Sequence, residues 1–152
     1  MAEHARDQPA EASAPATAPR RMRLTGLHHV TAICSDLDAT TRFYRDILGL
    51  ALDEAGVNDD DPDARHFWFG DAEGSPGTLV SFMEYPDMDG ARAGRGGVHH
   101  FAFRVSSAEE LEAWRDYLRS RGVPASDVFD RGRFRSIYLR DPDGNLVEIA
   151  TE

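Results

Sequence analysis

The sequence predicts an α+β fold built from two tandem β-α-β-β-β modules. Three observations predict it. A strand signal carrying a histidine pair occurs twice, as Gly26-Leu27-His28-His29-Val30-Thr31-Ala32-Ile33 and as Gly97-Val98-His99-His100-Phe101-Ala102-Phe103, with His29 and His100 71 residues apart. Each copy is followed by an apolar stripe at helical spacing that a glycine stops, Gly49 and Gly122, 73 residues apart. The closing strands align as Gly77-Thr78-Leu79-Val80-Ser81-Phe82 against Gly144-Asn145-Leu146-Val147-Glu148-Ile149, 67 residues apart. The landmarks recur in one order, as an internal duplication requires.

The elements follow in order. Residues 1–22 are rich in Ala, Pro, Glu and Thr, have little to bury, and read as a disordered tail in which His4 has no role. The domain spans residues 23–152, with modules at 23–86 and 97–152 and a Gly-, Asp- and Arg-rich linker at 87–96. Residues 24–34 read as the first strand. Ser35 is the expected helix cap, with Asp38 three residues on, and Phe43, Tyr44, Ile47 and Leu48 form the stripe. Strands are expected at 50–58, 65–70 and 78–85, separated by the turn residues 58–62 and 71–77. In the second module residues 98–105 are a strand, and Ser107 with Glu110 caps a helix carrying Leu111, Trp114, Tyr117 and Leu118. Strands follow at 123–130, 133–140 and 145–151. Loop differences would account for the drift in spacing.

Composition bounds the partners. The 152 residues are 41% hydrophobic, enough for a core, and the net charge of −10 argues against a nucleic-acid surface, which needs clustered Lys and Arg. The sole cysteine, Cys34, ends the first strand and reads as a small core residue in a reducing, cytoplasmic setting. No apolar run reaches the roughly 18 residues of a membrane span, and the N-terminus has no apolar signal-peptide region.

Strand alternation sorts the side chains. Val30, Ala32, Phe67, Phe69, Phe101, Phe103, Ile137, Leu139, Val147 and Ile149 should lie under the helices. His29, Thr31, His66, Trp68, His100, Phe134, Ser136, Tyr138 and Glu148 should take the other face, and one curved face would collect His29, His100, Glu148, Tyr138, His66 and Trp68. Two imidazoles and one carboxylate on separate strands are what an open divalent-metal site needs. The competing reading is two core histidines bonded to a carboxylate.

The motifs His28-His29-Val30-Thr31, Phe43-Tyr44-x-x-Ile47-Leu48-Gly49-Leu50, His99-His100-Phe101-Ala102-Phe103 and Asp141-Pro142-Asp143-Gly144-Asn145-Leu146-Val147-Glu148 resemble the vicinal oxygen chelate superfamily. That superfamily holds glyoxalase I, bleomycin-resistance proteins, fosfomycin-resistance enzymes and extradiol dioxygenases. The resemblance implies a curved, cup-shaped mixed sheet with helices outside, and metal ligands at His29, His100 and Glu148. Glyoxalase-like members carry a fourth, carboxylate ligand. Here Ser81 stands at that position, and Glu84 should face the other side as a solvated rim carboxylate. The three-ligand set implies Fe(II), with Zn, Ni or Mn as other ions.

The stretches Val57-Asn58-Asp59-Asp60-Asp61-Pro62 and Asp130-Arg131-x-x-Phe134-x-Ser136-Ile137-Tyr138 are similar to hydroquinone 1,2-dioxygenases. That similarity implies catalytic roles for Tyr138 and Arg131, with Thr31 as a supporting group. His66, Trp68 and Phe134 would line the pocket for a small aromatic diol, with O₂ as co-substrate. The similarity also implies a supporting role beside Thr31 for His28, which alternation puts on the helix face, and none for His99. A glyoxalase or isomerase-like metalloenzyme and a metal-free bleomycin-resistance-type binding protein are the alternatives, and a homodimer is expected in each case.

Overall fold

The computed structural model describes residues 23–151. The expected tail, residues 1–22, lies outside the described residues. The first module holds β1 (His29–Cys34), α1 (Leu37–Thr41) continuing as a π-helical segment (Arg42–Ile47), β2 (Ala51–Asn58), β3 (Asp61–Gly70) and β4 (Leu79–Glu84). The second holds β5 (Phe101–Arg104), α2 (Ala108–Ser120), β6 (Phe129–Asp130), β7 (Arg135–Arg140) and β8 (Leu146–Thr151). No described helix is long and apolar enough to cross a membrane.

The two modules have one topology. Strand orders are β1-β4-β3-β2 and β5-β8-β7-β6. The first and last strands of each module run parallel, and the other neighbours run antiparallel. Registers make the repeat exact at the site: Thr31 pairs with Ser81 as Ala102 pairs with Glu148. The sheets stay separate, and no barrel closes.

Local chemistry explains the helices. Asp36, not Ser35, caps α1: its carboxylate accepts from the Asp38 and Ala39 amides at 2.8 and 3.0 Å. The Ser35 amide instead donates to Asp143 Oδ2 at 3.1 Å, across the modules. Thr40 and Thr41 bond back to the carbonyls of Asp36 and Leu37, competing with the regular ladder, and the wider π turns follow. Ser107 caps α2 as expected, accepting from the Glu110 amide at 3.1 Å. The Glu110 carboxylate reaches the Ser106 amide, one residue before the cap. Both helices end on a glycine in the left-handed region, Gly49 at φ 77° and Gly122 at φ 76°, where a Cβ would be strained. The spacing drift between histidines and glycines therefore arises in the helices, not the loops.

The helix-bearing faces share one core. Leu37, Phe43, Tyr44, Phe69, Val80 and Phe82 from the first module join Leu111, Leu118, Ile137, Leu139, Val147 and Ile149 from the second. Tyr44 is fully buried and spans the junction: its ring stacks on Phe101 at 6.5 Å, and its hydroxyl donates to Asp141 Oδ2 at 3.0 Å. Asp141 also accepts from the Asp143 and Asn145 amides and the Asn145 side chain. It thereby shapes the turn that launches β8. Cys34 is buried in this core, and burial pushes its thiol up to about 11.

Candidate functional site

The sheet faces away from the helices carry the polar residues that alternation assigned to them. The six residues expected on one curved face fall three to each module.

On the first face, Thr31, Ser81 and Trp68 lie in one row across β1, β4 and β3. The Thr31 and Ser81 hydroxyls are bonded at 2.8 Å. Three rings line up: His29 and Trp68 have centroids 4.8 Å apart, and Trp68 and His66 5.0 Å. Desolvation holds His66 below the ordinary imidazole value, against the opposing pull of Glu54 and Asp59.

On the second face, Tyr138, Glu148 and Ala102 lie in the equivalent row. His100 Nε2 is 2.9 Å from Glu148 Oε2. The Tyr138 ring stands edge-on to His100 with centroids 5.9 Å apart. The Arg131 guanidinium lies 4.9 Å from the Phe129 ring centroid and 5.8 Å from that of Tyr138. The ring packed against Tyr138 is thus Phe129, at 5.9 Å, and not Phe134. Phe134 is exposed and closes a turn by accepting from the Arg131 amide. Phe129 pairs with Ser136 on the two-residue β6, and alternation within the expected strand 123–130 was the signal that could have found it.

Glu84 faces the helix side, as alternation required, but it is no rim carboxylate. It accepts from Arg65 through both oxygens, at 2.6 and 2.8 Å, and from the Leu37 amide at 2.8 Å. Arg65 holds its carboxyl below the usual range. Its work is to tie β3 and β4 to the start of α1.

Three buried side-chain atoms among the described residues have no hydrogen-bond partner: His66 Nε2, Ser136 Oγ and Glu148 Oε1. All three lie on the open faces, and His66 and Ser136 precede Trp68 and Tyr138 by the same two positions. Glu148 is only 3% exposed. A buried carboxylate with one bare oxygen is unfavourable unless a proton, donor or cation meets it. With the imidazole of His100 beside it, the donor set suits a divalent transition metal. The fit is incomplete within one chain. Among the described residues, no group of three His, Cys, Asp or Glu side chains converges on a metal position. His29 and His100 both line a largely apolar cavity of about 900 Å³ between the modules, with Leu48, Val80, Phe101 and Trp114, but Glu148 is not part of that lining.

Comparison with known proteins agrees with this architecture. The model of the Glyoxalase/Bleomycin resistance protein/Dioxygenase superfamily matches residues 26–149. MhqE of Bacillus subtilis (strain 168), whose name assigns it provisionally as a ring-cleaving dioxygenase, is 38% identical over 102 residues, 67% of this chain and 33% of its own length. The chlorohydroquinone/hydroquinone 1,2-dioxygenase of Sphingobium indicum is 29% identical over 87% of this chain and 40% of its own. The chain thus spans well under half the length of these relatives. The fosfomycin resistance protein FosX of Listeria monocytogenes is 28% identical over 83% of this chain and 89% of its own. Its structure complexed with Mn(II) and sulfate superposes with a TM-score of 0.62 at 25% identity, covering 86% and 94% of the two chains. A crystal structure of a provisionally assigned Bacillus subtilis dioxygenase gives a TM-score of 0.78 at 31% identity, covering 84% of this chain and 40% of that one.

Proposed function

Because this chain belongs to the Glyoxalase/Bleomycin resistance protein/Dioxygenase superfamily, we propose that it is a metal-dependent ring-cleaving dioxygenase acting on a hydroquinone- or catechol-like aromatic. The residues that would hold the metal are His29, His100 and Glu148. The observation that carries the reading is the buried Glu148 carboxylate, with one oxygen on His100 Nε2 and the other bare. A second observation supports the reaction class. Ser81, the register equivalent of Glu148, is a fully buried hydroxyl committed to Thr31, so no fourth carboxylate closes the site. Relatives named for ring cleavage of hydroquinones support the substrate class.

The chemistry that Fe(II) supplies when bound is a Lewis acid that lowers the pKa of a coordinated phenol and a path for electrons between ring and O₂. The protein's own residues do the rest. Trp68 and His66 present ring faces against which a flat aromatic can stack. Tyr138, edge-on to His100 and with the Arg131 guanidinium over its ring, would hold or pass the phenolic proton. Thr31 keeps the Ser81 hydroxyl turned to itself. His29 stands on the other module, so the complete ligand set is proposed to form in a homodimer, with His29 from one copy and His100 and Glu148 from its partner.

A second reading has one observation in its favour. FosX matches this chain over nearly its whole length, whereas the dioxygenase relatives are more than twice as long. On that reading the chain is a small metalloenzyme of the glyoxalase or fosfomycin-resistance kind. The experiment that decides reconstitutes the full chain anaerobically with Fe(II) and follows O₂ uptake with hydroquinones and catechols, using His100→Ala as the control. No uptake with any of them overturns the dioxygenase reading. Mn(II)-dependent loss of fosfomycin in the same preparation would establish the other.

A further inference from the structure

The two open faces can be compared row by row, because the modules share one register. In the first module Ile33, Met83, His66 and Gly56 form the row that follows Thr31, Ser81 and Trp68. In the second, Arg104, Ala150, Ser136 and Phe129 form the row that follows Ala102, Glu148 and Tyr138. Two long apolar side chains, Ile33 and Met83, thus have a cation and a methyl group as their counterparts. The exchange clears space beside the Glu148 row and sets a guanidinium at its edge.

That guanidinium is uncommitted. Arg115, Arg119 and Arg135 of the same module each meet a carboxylate, on Asp116, Asp127 and Glu112. Arg104 is exposed and has no such partner among the described residues. With His29 and His100 it lines the largely apolar cavity of about 900 Å³. Apart from the histidines and Arg104, the ionisable side chain in that lining is Asp71. Its carboxylate is taken up by its own loop, accepting from the Glu73 and Ser75 amides at 3.2 and 2.8 Å. In the Arg104 row itself, the Ser136 hydroxyl is fully buried and has no partner. An apolar cavity with one free cation selects a ligand with an apolar body and one negative charge.

We infer that Arg104 is a specificity-determining residue that receives the carboxylate of an aromatic acid, so that the substrate is a dihydroxyphenyl carboxylate and not a neutral diol. The inference rests on the ring-cleavage reading above and deepens it by naming the substituent on the ring.

The spacing suits such a molecule. The Arg104 row lies two residues along β8 from the Glu148 row, about 6.6 Å at the rise of a strand. That is close to the span of a benzene ring from a hydroxyl to a substituent across it. A diol whose oxygens face Glu148 brings its carboxylate over Ala150. Arg104, on the neighbouring strand, reaches it with two parallel N–H donors. A neutral diol leaves the guanidinium in water and gains nothing from it.

The test is isothermal titration calorimetry on the full chain with Mn(II), without oxygen, comparing 2,5-dihydroxyphenylacetate with hydroquinone. The acid should bind about 10-fold more tightly, the factor that one charge-assisted hydrogen bond supplies. The preference should vanish in Arg104→Gln and in Arg104→Ile, which installs the first module's residue. It should survive within a few-fold in Arg104→Lys. Urea midpoints verify folding. Added salt should weaken binding of the acid and spare that of hydroquinone. Equal affinity for the two ligands in the unaltered chain, or a preference that persists in Arg104→Gln, overturns the inference. O₂ uptake by the Fe(II)-loaded chain separates this outcome from the fate of the ring-cleavage reading. An Arg104-dependent preference with no uptake of either ligand overturns ring cleavage and leaves the carboxylate site standing. Uptake with equal kcat/KM for both ligands overturns the carboxylate site and leaves ring cleavage standing.

Discussion

Tyr44→Phe deletes one buried oxygen and with it the side-chain bond that ties the α1 region to the turn before β8. Tyr44 is 0% exposed and Asp141 7%, so water cannot replace the lost donor. Burial, followed by the Asp141 charge and the hydrogen bond to it, raises the Tyr44 hydroxyl far above its ordinary value, and it stays a donor at every working pH. A bond to a charged group contributes about 1.5–3 kcal/mol net. Asp141 keeps its three bonds within the turn, which places the expected loss near the lower end, about 1.5–2 kcal/mol. The aromatic packing on Phe82, with centroids 4.6 Å apart, is retained in the Phe variant. Urea unfolding at constant slope measures the loss. A double-mutant cycle with Asp141→Asn should return a coupling of about 1 kcal/mol or more. A single-variant loss below about 0.5 kcal/mol, or strict additivity in the cycle, would refute the claim that this bond joins the modules.

Three further outcomes follow from the same reasoning. Cys34, buried and pushed up to about 11, should react with a thiol reagent orders of magnitude more slowly in the native chain than in urea; equal rates would contradict its burial. Desolvation holds the folded His66 imidazole below its ordinary value of 6.5, so the unfolded chain binds more protons. Stability should therefore fall as pH drops from 6.5 toward the folded value, and His66→Gln should flatten that part of the pH–stability curve. An unchanged curve would count against the assignment. Glu148→Leu removes a buried carboxylate with a bare oxygen, so in the metal-free chain it should raise stability by about 1–3 kcal/mol while abolishing Mn(II) binding. A destabilised variant would mean that Glu148 is a structural group.

The repeat was legible because it depends on strong local signals: the histidine pairs, the stop glycines and the closing-strand alignment. Alternation placed Phe69, Ile137 and Val147 in the core and Glu148, Tyr138 and Trp68 on the opposite faces, because a strand's period holds whatever surrounds it. Other features depend on neighbours the sequence does not display. Ser35 and Asp36 are both capping residues, and the choice fell to Asp36 because the Ser35 amide is bonded to Asp143 in the other module. Glu84 looked solvated until Arg65 and the Leu37 amide were brought to it. The region 123–130 has strand composition, yet only Phe129–Asp130 pairs with β7. Alternation also assigns each residue to a face of its own sheet and is silent on how two sheets are disposed. How the two modules are disposed was therefore not legible in the sequence.

The parallel pairing of first and last strands has a kinetic consequence. The β2–β3 hairpin closes across Asn58 and Asp61, whereas His29 meets Leu79 50 positions later, and Phe101 meets Val147 after 46. Loop-closure entropy makes the long pairing about 2.5 kcal/mol more costly to initiate than the hairpin. The hairpin should nucleate early and β1 should dock late, an order that pulse-labelled hydrogen exchange would reveal as protection of β2 and β3 amides ahead of β1. His29 and His100 lie on or beside the late-docking strands, and Glu148 lies on β8, the parallel partner of β5. The constellation thus comes into being only at the final stage of folding, and a partly folded chain would hold none of it.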